Sequence, residues 1–383
     1  MEHLNGTEEK KVEYLELIYD LIFVYLIGRN NALLHTTEGG FFTGTAFLTY
    51  IIFSLVILQI WYYSTLFVNR YGSNGVSDHI GLFVNMYLLY YLADGTRAEW
   101  SGYYIRYNVA WGLILVNLAA QYAFRLRKSH GMMPWEDRHI RHHIRLLLIQ
   151  AAIILCSIPL YTLLHFPFSC LSLPAGFAAA FFTARLDALM PVNFEHLTER
   201  VMLYIVLTFG EMIIAIAEYF EGGFSFHTLY LSLMGFLIVA GLFLSYGFLY
   251  NHIINRELST TGSAYMMLHI GLIIALSCIT VALEFMREPE IDEIAKNIFL
   301  VVSFLGYYLF LLLIEYFSKP GYQVRGRYLA AHAAGGAAFV LLMALSYRNG
   351  LASIAVSVAF VYLVFYTIVH RYHAICRASA YEE

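Results

Sequence analysis

Long apolar runs alternate with short polar segments along the whole chain. A helix needs about 20 apolar residues to cross the hydrocarbon core of a bilayer. We predict a membrane helix in each run of that length: 13–35, 42–68, 78–94, 103–124, 145–165, 171–189, 196–218, 225–251, 261–285, 294–317, 328–347 and 350–372. The sixth run is the shortest, and Arg185 and Asp187 interrupt it. The pattern predicts an all-α, polytopic transmembrane helix bundle with about twelve spans.

Composition narrows the class of protein. Hydrophobic residues make up 60% of the 383 positions and charged residues 13%, about half the charged share of a soluble domain. The net charge of −4 argues against nucleic acid as a partner and leaves membrane lipids as the expected surroundings. The sequence contains no nucleotide-binding loop, GxSxG or HExxH motif. We therefore do not expect a soluble-enzyme site, a cofactor or a bound metal, although an enzymatic role stays open.

Basic residues predict the orientation of the bundle. Cytoplasmic flanks of membrane helices collect Lys and Arg. With twelve spans and a cytoplasmic N-terminus, most of the 23 basic residues fall on the cytoplasmic side. We therefore predict a multi-pass protein of the bacterial inner membrane with both termini in the cytoplasm. The polar N-terminus lacks a cleavable signal pattern, so the first helix is expected to act as an uncleaved insertion signal.

The two halves of the chain resemble each other. Shifting the first half along the second aligns ionisable residues: Glu16 with Glu199, His79 with His269 and Asp94 with Glu284. The histidines open an identical His-Ile-Gly-Leu stretch in both halves. We predict two six-helix repeats, 1–190 and 191–383, within one integral membrane domain. Because six is even, the copies share their orientation and are related by an axis along the membrane normal.

The first and seventh helices carry charges at membrane depth. A charge there costs roughly 2.5–3.5 kcal/mol on insertion scales, so such residues are usually paired, buried or functional. The candidate charge network is Glu16, Asp20, Arg29, Glu199, Arg200, Gly210 and Glu211. Gly210 is included because a small residue there is expected to let another backbone approach.

Depth and helical phase favour one ion pair in this network. At 1.5 Å per residue, Asp20 lies roughly 10 Å and Arg200 roughly 6 Å inside the cytoplasmic surface. Arg29 and Glu211 match in the same way near the outer surface. Glu16 and Asp20 share a helix face, whereas Arg29 points to the opposite side. We therefore expect Glu16 and Asp20 to pair with Arg200.

Several other ionisable residues are secondary candidates. They are His196, His79, His269, Asp94 and Glu284. About 22 Å separates His79 from Asp94 along a helix, so these two are expected near opposite membrane surfaces and not in one site.

The predicted loop at 125–145 is rich in Arg and His. His139 and His143 are one helical turn apart, which is typical of metal ligands. The alternative is a basic surface helix that rests on anionic lipid headgroups, with Trp135 at the interface. The only acidic residue considered as a completing ligand is Glu136, so we favour the lipid interpretation.

Two motifs resemble the bacterial low temperature requirement A family. The stretch Glu16-Leu-Ile-Tyr-Asp20-Leu-Ile-Phe-Val is similar to the family's opening Glu-Leu-Phe-Phe-Asp-Leu-Val-Phe-Val pattern. The stretch from His196-Leu-Thr-Glu199-Arg200 to Leu207-Thr-Phe-Gly210-Glu211 is similar to its His-x-x-Glu-Arg…Leu-Gly-Glu pattern, with Phe209 replacing the usual Leu. The resemblance implies a polytopic inner-membrane protein linked by name to growth in the cold, without a defined reaction.

Two functions from different classes are compatible with these patterns. The first is a proton- or cation-coupled transporter or conduction pathway that uses carboxylates in the first and seventh helices. The second is a non-transport membrane protein in cold adaptation: an intramembrane enzyme, a sensor or a lipid-interacting factor. Membrane lipids, and protons or a small solute, are the expected partners; the oligomeric state is left open.

Overall fold

The computed structural model describes residues 11–97, 100–128, 133–220, 225–324 and 326–379, with only the backbone at 100 and 180–182. Twelve α-helices occupy this part of the chain. They are α1 Tyr14–Asn31, α2 Gly44–Tyr71, α3 Val76–Asp94, α4 Tyr104–Lys128, α5 Pro134–Leu164, α6 Ser172–Asp187, α7 Phe194–Ala217, α8 Phe226–Phe248, α9 Ser263–Arg287, α10 Glu293–Ile314, α11 Gly326–Ser346 and α12 Gly350–Ser379. Each predicted apolar run overlaps with one of them.

Ten helices of the described segments are long and apolar enough to cross a membrane. The two α-helices outside this set are α3, which carries Asp78, His79 and Asn85, and α6, which has only 16 residues. The prediction of an all-α, multi-pass membrane protein is confirmed at this level. The number of twelve crossings and the parallel repeats remain predictions.

The chain divides into two compact units. Unit 1 contains the described residues up to Thr36, then Gly44–Tyr204 and Glu257–Met266. Unit 2 contains Thr37–Thr43, Ile205–Arg256 and the described residues from Met267 onward. The boundaries fall within α7 and α9, so each of these helices contributes residues to both units. This division follows spatial contacts, and the sequence repeat 1–190 and 191–383 is a separate prediction.

The bounds predicted for the loop at 125–145 are wrong, whereas the expectation of a basic helix within it agrees with the structure. Helix α4 continues to Lys128, and α5 begins at Pro134, so the His-rich segment is mostly helical. Proline suits the first position of a helix because its missing N–H would have no partner there. Glu136 and Asp137 in the first turn interact favourably with the positive end of the helix dipole. His139 and His143 consequently lie on one face of α5.

Close packing in unit 1 depends on a glycine of α6. A Cβ atom at Gly176 would lie 2.5 Å from both Gln59 Nε2 and Tyr63 Oη and 2.7 Å from Gln150 Oε1. Gln150 donates a hydrogen bond to the Tyr63 hydroxyl at 2.9 Å, and Gln59 donates to the carbonyl of Leu173. Glycine is required here because the backbone of α6 approaches polar side chains of α2 and α5 directly.

Unit 2 contains a short hairpin and a capped helix. Strands β1 (Thr37–Glu38) and β2 (Phe41–Phe42) pair antiparallel. The N–H of Asp292 donates to the carbonyl of Gly40 at 2.8 Å, while the Asp292 carboxylate caps the first turn of α10. The two phenylalanines of β2 pack against Phe285 and Phe299. The hairpin is thereby attached to the N-terminal end of α10.

Candidate functional site

Helices α1 and α7 bring two acids and one arginine together in unit 1. Arg200 donates from Nη1 to Glu16 Oε2 at 2.8 Å. It also donates from Nη2 to Asp20 Oδ1 at 2.8 Å and from Nε to Asp20 Oδ2 at 3.1 Å, a bidentate pair. Asp20 and Arg200 each lie six residues into their helices, about 9 Å along the axis. The pairing expected from depth and helical phase is present.

Two further side chains complete this group, which we call the Arg200 cluster: Glu16, Asp20, Trp61, His196 and Arg200. The Trp61 indole donates to Asp20 Oδ1 at 3.0 Å and packs against the ring of Tyr204 at 4.4 Å. An indole N–H only donates, so it favours a hydrogen-bond acceptor such as a carboxylate oxygen. Nothing in the sequence pattern marks Trp61, because it reads as one of many apolar residues in α2.

His196 has its tautomer set by hydrogen bonds. Asn69 accepts from the N–H of Asn193 through Oδ1, so its amide nitrogen is the atom that donates to His196 Nδ1 at 3.0 Å. With Nδ1 accepting, the proton of a neutral imidazole lies on Nε2. Nε2 is 3.3 Å from Glu16 Oε1, an electrostatic contact whose geometry falls short of a hydrogen bond. His196 therefore belongs to the charge network.

The cluster is removed from solvent. Asp20, His196 and Arg200 are 0% exposed and Glu16 is 1% exposed. Transferring an ion into such surroundings costs several kcal/mol, which only close, hydrogen-bonded pairing offsets. One guanidinium faces two carboxylates here. Among the residues of the cluster, charge balance needs one more positive charge, or a proton on one of the acids.

Polar side chains continue from the cluster through unit 1. The Tyr19 hydroxyl, one residue before Asp20, lies 2.9 Å from Ser64 Oγ. Asn85 of α3 donates to the Tyr19 hydroxyl at 3.4 Å, and Asn117 of α4 donates to Asn85 Oδ1 at 2.8 Å. These residues connect the surroundings of Asp20 with α3 and α4 by successive contacts.

The other members of the predicted network lie elsewhere. Arg29 is exposed, whereas the next residue, Asn30, is buried and donates to Ser54 Oγ at 2.7 Å. Glu199 is partly buried and accepts from the N–H of Val12 at 3.4 Å. Glu211 is half-buried in unit 2, where the charge of Glu284 acts on it. The structure thus places two predicted acids, Glu211 and Glu284, near each other.

The expectation for Gly210 is wrong. A Cβ atom built on Gly210 meets no atom within 4 Å, so no other backbone approaches it closely. A glycine in a motif does not by itself indicate tight helix packing. In the described part of the chain, close approach occurs at other glycines, Gly176 among them.

The secondary candidates form separate environments. His79 is partly exposed in the first turn of α3. Asp94 ends that helix and accepts from Arg97 Nη2 at 2.9 Å, and this hydrogen bond raises the pKa of the Arg97 guanidinium. In unit 2, His269 is fully buried, with Nε2 3.2 Å from the Tyr246 hydroxyl. His79 and Asp94 lie at opposite ends of α3, as predicted.

A second buried charged group in unit 1 surrounds Asp187, the last residue of α6. We call it the Asp187 cluster: Arg70, Tyr71, His139, His143 and Asp187. His139 Nε2 lies 2.8 Å and His143 Nε2 3.7 Å from Asp187 Oδ1. Arg70 Nη1 lies 3.2 Å from the same oxygen. This arrangement is not apparent from the sequence, because Asp187 is far from the histidines along the chain.

The comparisons with known proteins agree with the motifs. The sequence pattern of the bacterial low temperature requirement A protein (LtrA) matches residues 11–369. No curated protein matches the chain significantly. The matched region contains both the Arg200 cluster and the Asp187 cluster. Since the match spans nearly the whole sequence, the chain belongs to the bacterial low temperature requirement A family.

Proposed function

We propose that the chain is a proton- or cation-coupled membrane transporter or conduction pathway, in which the Arg200 cluster binds the coupling ion. The observation that carries the proposal is the shared arginine. Arg200 bonds to both Glu16 and Asp20, and all three are buried in helices of membrane-spanning character. Ionisable residues in that setting usually line ion or proton pathways.

The charge balance supports a site with one exchangeable ion. Among the residues of the cluster, Arg200 carries one positive charge and bonds to two carboxylates. A proton on one carboxyl group or a small cation balances the second negative charge. The proton on His196 Nε2 faces Glu16 Oε1, 3.3 Å from the nitrogen, and favours the charged form of Glu16.

Polar contacts on both sides of the cluster support a route for that ion. Asn69 and Asn193 connect His196 to the end of α2 and the beginning of α7. Tyr19, Asn85 and Asn117 continue on the other side, towards α3 and α4. The Tyr19 hydroxyl both donates and accepts, as a proton relay needs, and the asparagine amide oxygens are acceptors that suit a small cation.

A flux measurement tests the proposal. The purified full chain is reconstituted in liposomes that contain a pH-sensitive dye, and a membrane potential is imposed. We expect proton or cation flux from the wild type, and its loss in Asp20→Asn and Glu16→Gln. Glu315→Gln is the matched control, because Glu315 is also buried and paired with an arginine, Arg371, but belongs to unit 2.

Wild-type liposomes as tight as empty ones, across protons and small cations, would contradict the proposal. The opposing hypothesis is a structural lock, in which the cluster only holds α1 to the first turns of α7. It predicts that Asp20→Asn lowers the unfolding temperature and leaves the flux per folded molecule unchanged. Thermal unfolding of each variant in detergent therefore accompanies the flux assay.

The family description connects the proposed transport with growth at low temperature. Under this proposal, a deletion strain grows poorly in the cold, and the wild-type gene restores its growth. Asp20→Asn fails to restore it, although the variant reaches the membrane in normal amount. Restoration by Asp20→Asn would separate the cold phenotype from the charge cluster.

A further inference from the structure

We propose that His139, His143 and Asp187 form a binding site for one divalent transition metal ion of the Zn²⁺ type, separate from the Arg200 cluster. The ligand atoms are the two Nε2 atoms and one carboxylate oxygen, and all lie within 4.8 Å of one another. In a tetrahedral zinc site with bonds of about 2.0–2.1 Å, ligand atoms are about 3.3 Å apart. The observed separations of 2.8 and 3.7 Å bracket that value.

The second nitrogen of each histidine is already oriented. His143 Nδ1 lies 3.0 Å from the backbone carbonyl of His139, an acceptor only, so Nδ1 carries the proton and Nε2 has a lone pair. His139 Nε2 donates to Asp187 Oδ1 at 2.8 Å in this structure, so a metal ion displaces that proton from Nε2. His139 Nδ1 lies 2.7 Å from the Tyr71 hydroxyl, which accepts an Nδ1 proton once Nε2 binds the metal. Metal-binding histidines almost always have such a partner behind them.

The carboxylate is oriented in the same manner. Thr183, one turn before Asp187, donates its hydroxyl to Oδ2 at 2.9 Å. That hydrogen bond orients the carboxylate so that Oδ1 faces the two histidines. His139 is 0% exposed, and the side chains of His143 and Asp187 are 13% and 4% exposed. The cluster is therefore a built interior site, unlike a chance group of surface histidines.

A cavity beside the ligands has room for a fourth one. It measures about 20 Å³ and is lined by His143, Asp187, Thr183, Tyr62, Tyr63 and Gly176 among others. A volume above about 10–15 Å³ on this measure holds one water molecule, given polar partners. Two imidazoles, one carboxylate and a water form the open coordination typical of zinc and related metals.

The positive charge of Arg70 beside Asp187 disfavours a bound cation. The hydrogen bonds of the Arg70 guanidinium limit this effect. Its Nε donates to the carbonyl of Met190 at 3.1 Å and its Nη2 to that of Thr261 at 3.1 Å. The remaining nitrogen, Nη1, lies 3.2 Å from Asp187 Oδ1 without the alignment of a hydrogen bond. The guanidinium is thus held by backbone carbonyls and weakens metal binding by its charge without occupying the ligand positions.

Metal binding to the purified full chain tests the site. The protein, with an affinity tag free of histidine, is stripped with a chelator and titrated with Co²⁺, followed by visible absorption, and then with Zn²⁺ by calorimetry. We expect one equivalent of metal and a rise in the unfolding temperature. His143→Gln and Asp187→Asn should each weaken binding at least about tenfold, since each loses a ligand.

His142→Gln is the matched control, because His142 neighbours His143 on α5 but is absent from the cluster. It should bind Co²⁺ as the wild type does. The proposal is overturned if the wild type binds no metal, or if His142→Gln loses as much affinity as His143→Gln. If Asp187→Asn does not fold, the test rests on His143→Gln. His143 is the most exposed of the three ligands, so its replacement is expected to disturb the fold least.

Discussion

The two buried charged clusters of unit 1 differ in composition. In the Arg200 cluster, one guanidinium serves two carboxylates, Glu16 and Asp20, beside the imidazole of His196. In the Asp187 cluster, one carboxylate serves a guanidinium and two imidazoles. With the imidazoles neutral, the residues of the first group have one more carboxylate than guanidinium, whereas those of the second have one of each. Both are buried, so the difference does not arise from solvent exposure.

The contrast teaches what each cluster is able to bind. A surplus carboxylate attracts a proton or a hard cation, and its occupancy changes with the charge around it. Converging imidazole nitrogens attract a borderline transition metal, and their number and geometry set the affinity. Burial alone would have assigned the same role to both clusters. The ratio of acids to bases separates them.

The largest expected effect comes from removing each arginine. Arg200→Met leaves two carboxylates buried without their counter-ion, which should lower the free energy of unfolding by about 3–5 kcal/mol. Arg70→Met should lower it less, because His139 and Thr183 still donate hydrogen bonds to Asp187. Unfolding in mixed micelles titrated with SDS measures both losses. Equal losses would show that the two clusters do not differ in charge balance.

A smaller effect is expected from Gly176→Ala. The new Cβ would lie 2.5 Å from Gln59 Nε2 and Tyr63 Oη, so we expect a loss of about 1–3 kcal/mol from overpacking. It should also narrow the cavity beside Asp187 and weaken Co²⁺ binding, with proton flux per folded molecule unchanged. Gly210→Ala is the control, because its Cβ meets nothing within 4 Å and alanine favours the helix. A larger loss of stability in Gly210→Ala would contradict the packing described.

The smallest expected effect comes from Tyr71→Phe. This change removes the hydroxyl beside His139 Nδ1 and should lower the free energy of unfolding by about 1 kcal/mol. Metal affinity should fall about tenfold, as is typical when the partner behind a histidine ligand is lost. Flux through the Arg200 cluster should not change. A variant with reduced flux and unchanged metal affinity would reverse the assignment of the two clusters.

The fold and the first cluster were largely accessible from the sequence. Apolar runs of spanning length place every α-helix, because lipid leaves the backbone few alternatives to a helix. Depth and helical phase identified Glu16, Asp20 and Arg200 as partners, since charges at membrane depth must pair. The roles of Trp61 and Asn69 could not be predicted from the sequence, because the identity of such a residue does not indicate a hydrogen bond to a distant helix.

The second cluster shows where such reasoning ends. Spacing along α5 indicates His139 and His143 as ligands, and the acidic ligand that the sequence suggested was the neighbouring Glu136. Asp187 belongs to α6, and in the sequence it is only a residue that interrupts an apolar run. The placement of α6 depends on contacts at Gly176, Gln59 and Tyr63, which a one-dimensional pattern does not contain. The sequence therefore predicted the residue types of the cluster but not the tertiary contact that brings Asp187 to the histidines.

The long separation between Asp20 and Arg200 has a consequence for the biogenesis of the protein. Arg200 follows Asp20 by 180 positions, so the first helix leaves the ribosome long before its counter-ion exists. At about 5–20 residues per second, the delay is on the order of 10–35 s. During that time Glu16 and Asp20 disfavour burial of α1 in lipid. Stable insertion of the first helix is thus linked to synthesis of the seventh, and a chain truncated before Arg200 should expose its N-terminal helix to quality-control proteases.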